Sequence, residues 1–365
     1  MAGGIELVRS LGAAGIRPTV IAPADSPARW SRYTAEGIEP GSRPIEDVLA
    51  DQGASFAEPA VLYFDADDVL LAVSRDRERL ARSYAFRIPS TELTSDLIDK
   101  GRFQALADRV GLPVPPGVLF APASSGPSDV DLRFPMILKP VPYRTESWKN
   151  VGMGAKAVQV DEPHELERLW PKLIEARTDF LAQEVVPGSE ERIVSYHAYI
   201  DDAGRVLGEF TGRKIRTNPP EFGMSSALVT TEDEDLVRIG RDVVERIGMS
   251  GPTKLDFKLD PGGTPRLLEV NARFTLWVQP GAVAGVNLAA IAYADLTGAQ
   301  PAPPRRARAG VRWVDPSGDL AAARALGVPL WRWVPFALRC ETNPAWAWTD
   351  PAPLLRRVAD RARSR

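Results

Sequence analysis

The chain has 365 residues, 44 % apolar and 25 % charged, which is enough for two or three domains around a sizeable core. A net charge of −3 argues against a dedicated nucleic-acid binder. One cysteine (Cys340) and two histidines (His164, His197) leave no intrachain disulfide and argue against a thiolate metal centre or a Ser-His-Asp triad.

Met1 to Glu6 shows no basic stretch ahead of an apolar run, so no signal peptide is expected and the expected compartment is the cytoplasm. Gly3-Gly4, a helical stretch from Ile5 to Ala14, Gly15 and a strand over 18–22 form the helix-then-strand half of a nucleotide-fold βαβ unit. The strand expected ahead of the Gly-Gly turn is missing, so either the start lies upstream or the sheet lacks an edge. Val61 to Phe64 reads as a second strand; Asp65, Asp67 and Asp68 after it mimic a metal site, but caps that place negative charge at a helix start are the better reading. Residues 96–110 have the spacing of an amphipathic helix burying Leu97, Phe103, Leu106 and Val110, ended by Gly111. Phe134 to Pro140 is a short buried strand carrying Lys139 near its end. Residues 141–156, with Gly152 and Gly154, read as a mobile loop that holds or borders Arg144, Lys149 and Lys156. A strand over 158–160, a helix over 163–176 and a strand over 181–186 follow. The pattern is strand-rich from 193 to 230, then helical over 232–248.

Residues 275–294 carry no charge, and a buried helix starting near Pro280 is a better reading than a membrane span, because Gln279, Gly281, Gly285 and Asn287 interrupt the run. Pro301 to Pro304 mark a linker. Five of nine tryptophans lie beyond it: Trp313, Trp331, Trp333, Trp346 and Trp348. Packing of this Trp-rich extension onto the body is favoured over a membrane interface, a glycan site or an acceptor pocket. The Leu354–Arg365 tail, with five arginines and one aspartate, points toward an anionic surface.

Lysine is scarce, 8 against 37 arginines, which directs attention to Lys100, Lys139, Lys214 and Lys254 as places that need a compact ammonium. The most informative segment is Lys254 to Asp260, then Pro-Gly-Gly-Thr, then Pro265 to Arg273: two strands joined by a tight turn. If Asp260 faces Pro265 across a four-residue turn, Asp256 stands opposite Glu269 and Lys254 opposite Asn271, while Glu269, Asn271 and Arg273 share a face. Two carboxylates roughly 5 Å apart repel unless a cation lies between them, and carboxylate and amide oxygens are hard ligands that suit Mg²⁺ with bound phosphates. The alternative is an ordinary hairpin with one solvated face.

A lysine opening a helix (Lys100), a strand-end lysine (Lys139), a Gly-containing loop, Gln183 to Gly188 and the Asp256, Glu269, Asn271 set occur in that order. The order resembles the ATP-grasp superfamily, in its carboxylate–amine ligase branch, over residues 3–298. Within the branch it is similar to the predicted ATP-dependent carboligases, through Arg9 to Gly12, Gly212 to Lys214 and Asp350 to Pro353. The resemblance implies an α/β ATP-grasp fold: an N-terminal nucleotide-fold-like domain at 1–95 without its first strand, a central lid subdomain at 96–187, a C-terminal subdomain with the metal site at 188–300, and a Trp-rich extension at 301–365. It implies ATP and Mg²⁺ as cofactors. Lys100 and Lys139 would contact phosphates, and Gln183, Glu184 and Val186 would read adenine, largely through backbone groups. Glu191, with Glu190 as the competing choice, would hold the ribose, and Asp256, Glu269 and Asn271 the metal. Arg273, Arg213 and Lys214 would stabilise charge on the transferring phosphate. The implied reaction activates a carboxylate as an acyl phosphate for an amine, with small molecules as partners. A thiol or ammonia nucleophile, a regulatory protein without turnover, and a membrane-peripheral assembly factor are the rival readings.

Overall fold

The computed structural model describes residues 4–141, 157–299 and 306–363, with side chains to residue 359. The chain is an α/β protein that divides into two compact units. One comprises residues 1–94, 194–255 and 271–365; the other comprises 95–193 and 256–270.

The larger unit starts with helix α1 (Ile5–Ala13), then strands β1 (Thr19–Ile21) and β2 (Glu36–Ile38), which pair in parallel. Helix α2 (Ile45–Gly53) precedes β3 (Ala60–Val61), helices α3 (Asp67–Arg75) and α4 (Arg77–Leu80), and β4 (Tyr84–Ala85), which pairs in parallel with β3. α1 buries Leu7, Val8 and Leu11, at the i, i+1, i+4 spacing of one helix stripe. The cap expected of Asp65, Asp67 and Asp68 takes another form. Ala66 is the N-cap of α3 without a side-chain bond, Asp67 and Asp68 lie in its first turn, and Asp65 instead accepts the Gly4 backbone N–H at 2.6 Å.

The expected single helix over 96–110 is two. α5 (Thr91–Ile98) ends before Asp99, whose side chain caps α6 (Lys100–Val110) by accepting the Arg102 N–H at 2.9 Å. Gly111, at φ 68°, closes α6 in the left-handed conformation that suits glycine. Leu97 and Leu106 are buried as expected, but Phe103 and Val110 are only half-buried. In the smaller unit β5 (Gly117–Phe120), β6 (Met136–Val141), β7 (Val158–Val160) and β8 (Asp179–Glu184) form an antiparallel sheet of order β5-β8-β6-β7. Helix α7 (Pro163–Glu175) opens with proline at its first position and buries Leu166, Trp170 and Leu173. Phe120 stacks on Trp170 at 5.2 Å and on Phe180 at 5.8 Å, at the centre of this core.

Strands β9 (Ile193–Ile200), β10 (Val206–Asn218) and β11 (Met224–Thr231) are followed by helix α8 (Glu234–Arg246) and the hairpin β12 (Gly251–Leu259) and β13 (Pro265–Asn271). With β14 (Arg312–Val314) they give a six-stranded sheet of order β13-β12-β9-β10-β11-β14. The uncharged stretch after β13 holds two short helices, α9 (Val278–Ala284) and α10 (Leu288–Thr297), divided by Gly285 at φ 110°. Among the described residues no helix is long and apolar enough to cross a membrane.

The C-terminal elements are α11 (Pro316–Ala325), α12 (Leu330–Leu338) and α13 (Ala352–Arg363), all in the larger unit. Packing of the tryptophans holds for Trp313, which is buried in the core, and in part for Trp333. It fails for Trp331 and Trp348, which are 69 % and 97 % exposed.

Candidate functional site

The smaller unit brings four of the expected residues together. Lys139 pairs across β6 and β8 with Leu181, and Ile137 with Gln183. Gln183 is therefore the diagonal neighbour of Lys139 on one sheet face, within side-chain reach. The Lys139 ammonium donates to Gln183 Oε1 at 2.9 Å. Burial pulls the Lys139 pKa down to about 8, and the carboxylate of Glu269 opposes that fall. Lys100, the first residue of α6, donates through Nζ to the Pro140 carbonyl at 3.2 Å, next in chain to Lys139. Two ammonium groups, an amide and a carboxylate thus gather near the end of β6. Such a set presents positive charge to an anionic group.

The other residues expected at the adenine and ribose differ in what they touch. Glu184 carries its carboxylate away to Arg133, at 2.7 Å, which holds the carboxyl below its ordinary range. Its backbone N–H donates to Pro116 O and that of Val185 to Pro135 O. Val186 is buried just beyond β8. Of the two glutamates in the turn before β9, Glu190 lies 3.3 Å from Lys258 Nζ, while Glu191 is exposed.

The hairpin turn is one residue tighter than the sequence reading supposes. Asp260 N–H donates to Thr264 O at 2.9 Å, and Gly263 N–H donates to Asp260 O at 2.8 Å. The loop is Pro261 to Gly263, with Gly263 at φ 85°, the left-handed position of a three-residue hairpin loop. Asp260 faces Thr264 rather than Pro265. Carried unbroken along the strands, that pairing sets Asp256 opposite Leu268; bringing Asp256 opposite Glu269 takes one bulged residue. Asp256 is buried, on the strand face it shares with Lys254 and Lys258, also buried, whereas Glu269 is exposed. Asp256, Glu269 and Asn271 offer only oxygen donors, two of them anionic, which fits a hard divalent cation.

In the larger unit Arg273 is held by a residue not assigned to the site from sequence. Its Nε and Nη2 donate to the two carboxylate oxygens of Asp67 at 2.6 and 2.9 Å, and Nη2 also donates to Asn271 Oδ1 at 3.1 Å. Asp67 fits a guanidinium fork, but nothing in its sequence surroundings distinguishes it from Asp65 or Asp68. Arg213 and Lys214 are successive residues of β10, so they point to opposite faces: Arg213 is exposed and Lys214 buried. Neither stands at a sheet edge, because β10 lies inside the sheet between β9 and β11. Gly212 beside them is fixed by packing, since a β-carbon there would stand 2.2 Å from the Trp277 ring. Arg144, Lys149 and Lys156 lie outside the described residues. Cys340 is no alternative nucleophile, because burial pushes its thiol up to about 12.

Residues 211–316 match the family described as ATP-grasp in the biosynthetic pathway with Ter operon. A D-aspartate ligase of Enterococcus faecium is 22 % identical over 267 residues, covering 68 % of this chain and 63 % of the relative. A D-alanine–D-alanine ligase of Alkalilimnicola ehrlichii is 25 % identical over 180 residues, covering 48 % and 55 %. The chain thus spans less than two thirds of the length of these curated relatives. Among solved structures, the Staphylococcus aureus N5-carboxyaminoimidazole synthetase complexed with ADP aligns at a TM-score of 0.62 and 15 % identity, over 83 % of this chain and 78 % of that one. The lysine–lysine–glutamine–carboxylate order agrees with these likenesses, the α/β fold is that of the solved neighbours, and residues 211–316 match an ATP-grasp family.

Proposed function

We propose that the protein activates a small carboxylate as an acyl phosphate, at the expense of ATP, for attack by an amine. The observation that carries this reading is the Lys139 ammonium, drawn out of solvent, bonded to Gln183 and near Glu269, with Lys100 reaching the next residue. A cation held this way suits the terminal phosphates of a nucleotide, and a binding role for both lysines follows. Gln183 positions Lys139. The backbone around Glu184 and Val186 would read the adenine edge. Glu191 is the better ribose partner, because Glu190 is engaged by Lys258.

Asp256, Glu269 and Asn271 would hold Mg²⁺, which when bound supplies charge neutralisation between the phosphates. A carboxylate oxygen attacks the γ-phosphorus, the bond to the bridging oxygen breaks, and ADP departs with the electron pair. Arg273, released from Asp67, stabilises charge on the transferred group, and Lys214 is the better placed of the β10 cations to assist, being buried. The amine nitrogen then attacks the acyl carbon, phosphate leaves, and the nitrogen loses a proton to solvent. No protein nucleophile is needed, in keeping with the inert Cys340.

Pairwise screening of amino acids and small carboxylates for MgATP-dependent ADP release finds the substrates. The carboxylate is then labelled with heavy oxygen. One labelled atom is expected in inorganic phosphate, with ADP accumulating in step. Label in AMP with release of pyrophosphate would move the protein to an adenylating class. Turnover with a thiol or ammonia alone would change the nucleophile, and ATP binding without any turnover would favour a regulatory protein.

A further inference from the structure

We infer that the C-terminal helices α12 and α13 form a docking surface for an anionic lipid bilayer, on which the protein lies without crossing it. α12 is apolar on two sides. Its inner side is fixed to the body: Trp333 Nε1 donates to the buried Asp319 at 2.8 Å, the Arg216 guanidinium lies 4.5 Å over the Phe336 ring, and Ala337 is buried. Its outer side carries Leu330, Trp331, Val334 and Leu338, which are 51, 69, 44 and 73 % exposed. At 100° per residue these four fall within a 100° arc, so they make one stripe rather than scattered apolar residues. α13 repeats the pattern. Leu354, Leu355 and Val358 fall in a similar arc and are exposed, while Pro353 is buried and the Arg356 guanidinium lies 5.9 Å over Trp30. Between the helices Trp348 is 97 % exposed.

Charge decides what covers this surface. Leu326 to Arg339 contains two arginines and no acidic residue, and Leu354 to Ala359 likewise two arginines and no acidic residue, in a chain whose net charge is −3. A second copy would bring the same positive charge to the same face and be repelled. An anionic headgroup layer complements it, and exposed Trp and Leu beside Arg are the composition of an interfacial helix. Tryptophan in particular prefers the headgroup level.

Vesicle flotation with the full chain tests this, using phosphatidylcholine alone and phosphatidylcholine mixed with phosphatidylglycerol. The wild type is expected to float with the mixed vesicles, to stay behind with the neutral ones, and to be released by high salt. Trp331→Ala combined with Trp348→Ala, and Arg339→Glu combined with Arg357→Glu, should each weaken binding by about tenfold or more, since each charge near the surface and each buried aromatic contributes several-fold. All four positions are exposed, so thermal melts of the variants should match the wild type. Failure to float with mixed vesicles, equal flotation with both kinds, or indifference to either double substitution would overturn the proposal. So would a dimer in light scattering that the tryptophan substitutions disperse, because the face would then serve self-association.

Discussion

Glu6 and Lys139 show how burial sets the chemistry of single residues. Glu6, in the first turn of α1, has its carboxyl pushed from 4.5 up to about 7, chiefly by burial and further by Asp65, with Arg9 opposing. Asp65 is raised as well, again first by burial. The sign of the consequence for stability follows from proton counting. Between about 4.5 and 7 the folded protein holds the Glu6 proton more tightly than the unfolded chain does. The stabilisation is present at low pH and is lost as pH rises through about 7. Glu6→Gln removes the charged form and should leave stability at acidic pH nearly unchanged while raising it above neutral pH, by on the order of 1–3 kcal/mol. Denaturant unfolding of both proteins at pH 5 and pH 8 checks this. An identical difference at the two pH values would show that Glu6 does not titrate in that window. Sequence alone could not reveal such a shift. Glu6 reads there as one more acidic residue at a helix start, and its burial depends on what packs over it.

The β12–β13 hairpin was legible in outline, because Pro-Gly-Gly between two alternating segments is a strong turn signal. Its register was not, because a left-handed Gly263 shortens the loop by one residue, a choice made by hydrogen bonds that composition does not specify. The same limit applies to β10. The Gly-Arg-Lys run was visible, but whether it sits at an edge depends on β11 and β9 flanking it. Lys139 at a strand end was within reach of the sequence; the Gln183 bond and the influence of Glu269 required the folded chain. These strands also separate two kinds of substitution. Asp256→Asn and Glu269→Gln should each abolish ADP release under the proposed mechanism. Their stability effects should differ. Asp256 is buried on a face with two buried lysines, so neutralising it should lower the melting temperature, whereas exposed Glu269 should tolerate the change. Wild-type ADP release by either variant would remove it from the metal set. A larger loss of stability for Glu269→Gln than for Asp256→Asn would contradict the burial argument.

At the scale of the whole chain, the two ends of the sequence are tied together inside the larger unit. Arg9 of α1 donates through Nε to Asp350 Oδ2 at 3.0 Å and through Nη1 to Asn343 O at 2.8 Å. Asp350 also accepts from Ser31 Oγ at 2.8 Å and from the Arg32 N–H at 2.9 Å, and its side chain is fully buried. Gly12 lies one turn on, where a β-carbon would stand 2.2 Å from the Tyr33 ring. The Arg-Ser-Leu-Gly and Asp-Pro-Ala-Pro segments, which stand out separately along the sequence, are therefore halves of one structural contact. No periodicity links residues 341 positions apart, so their meeting was invisible until the chain was folded. Breaking a buried, hydrogen-bonded ion pair by removing one partner costs about 3–5 kcal/mol, because the remaining charge is left uncompensated. Asp350→Ala should lose that much or more, since Ser31 and the Arg32 N–H also lose their acceptor. Arg9→Met should lose less, as Asp350 keeps those two donors. The double variant should be markedly more stable than the sum of the single losses implies, with a coupling energy of about 1–3 kcal/mol in denaturant unfolding. Additive losses would mean that Arg9 and Asp350 contribute independently, and that the contact between the chain's beginning and its end is held by the surrounding packing instead.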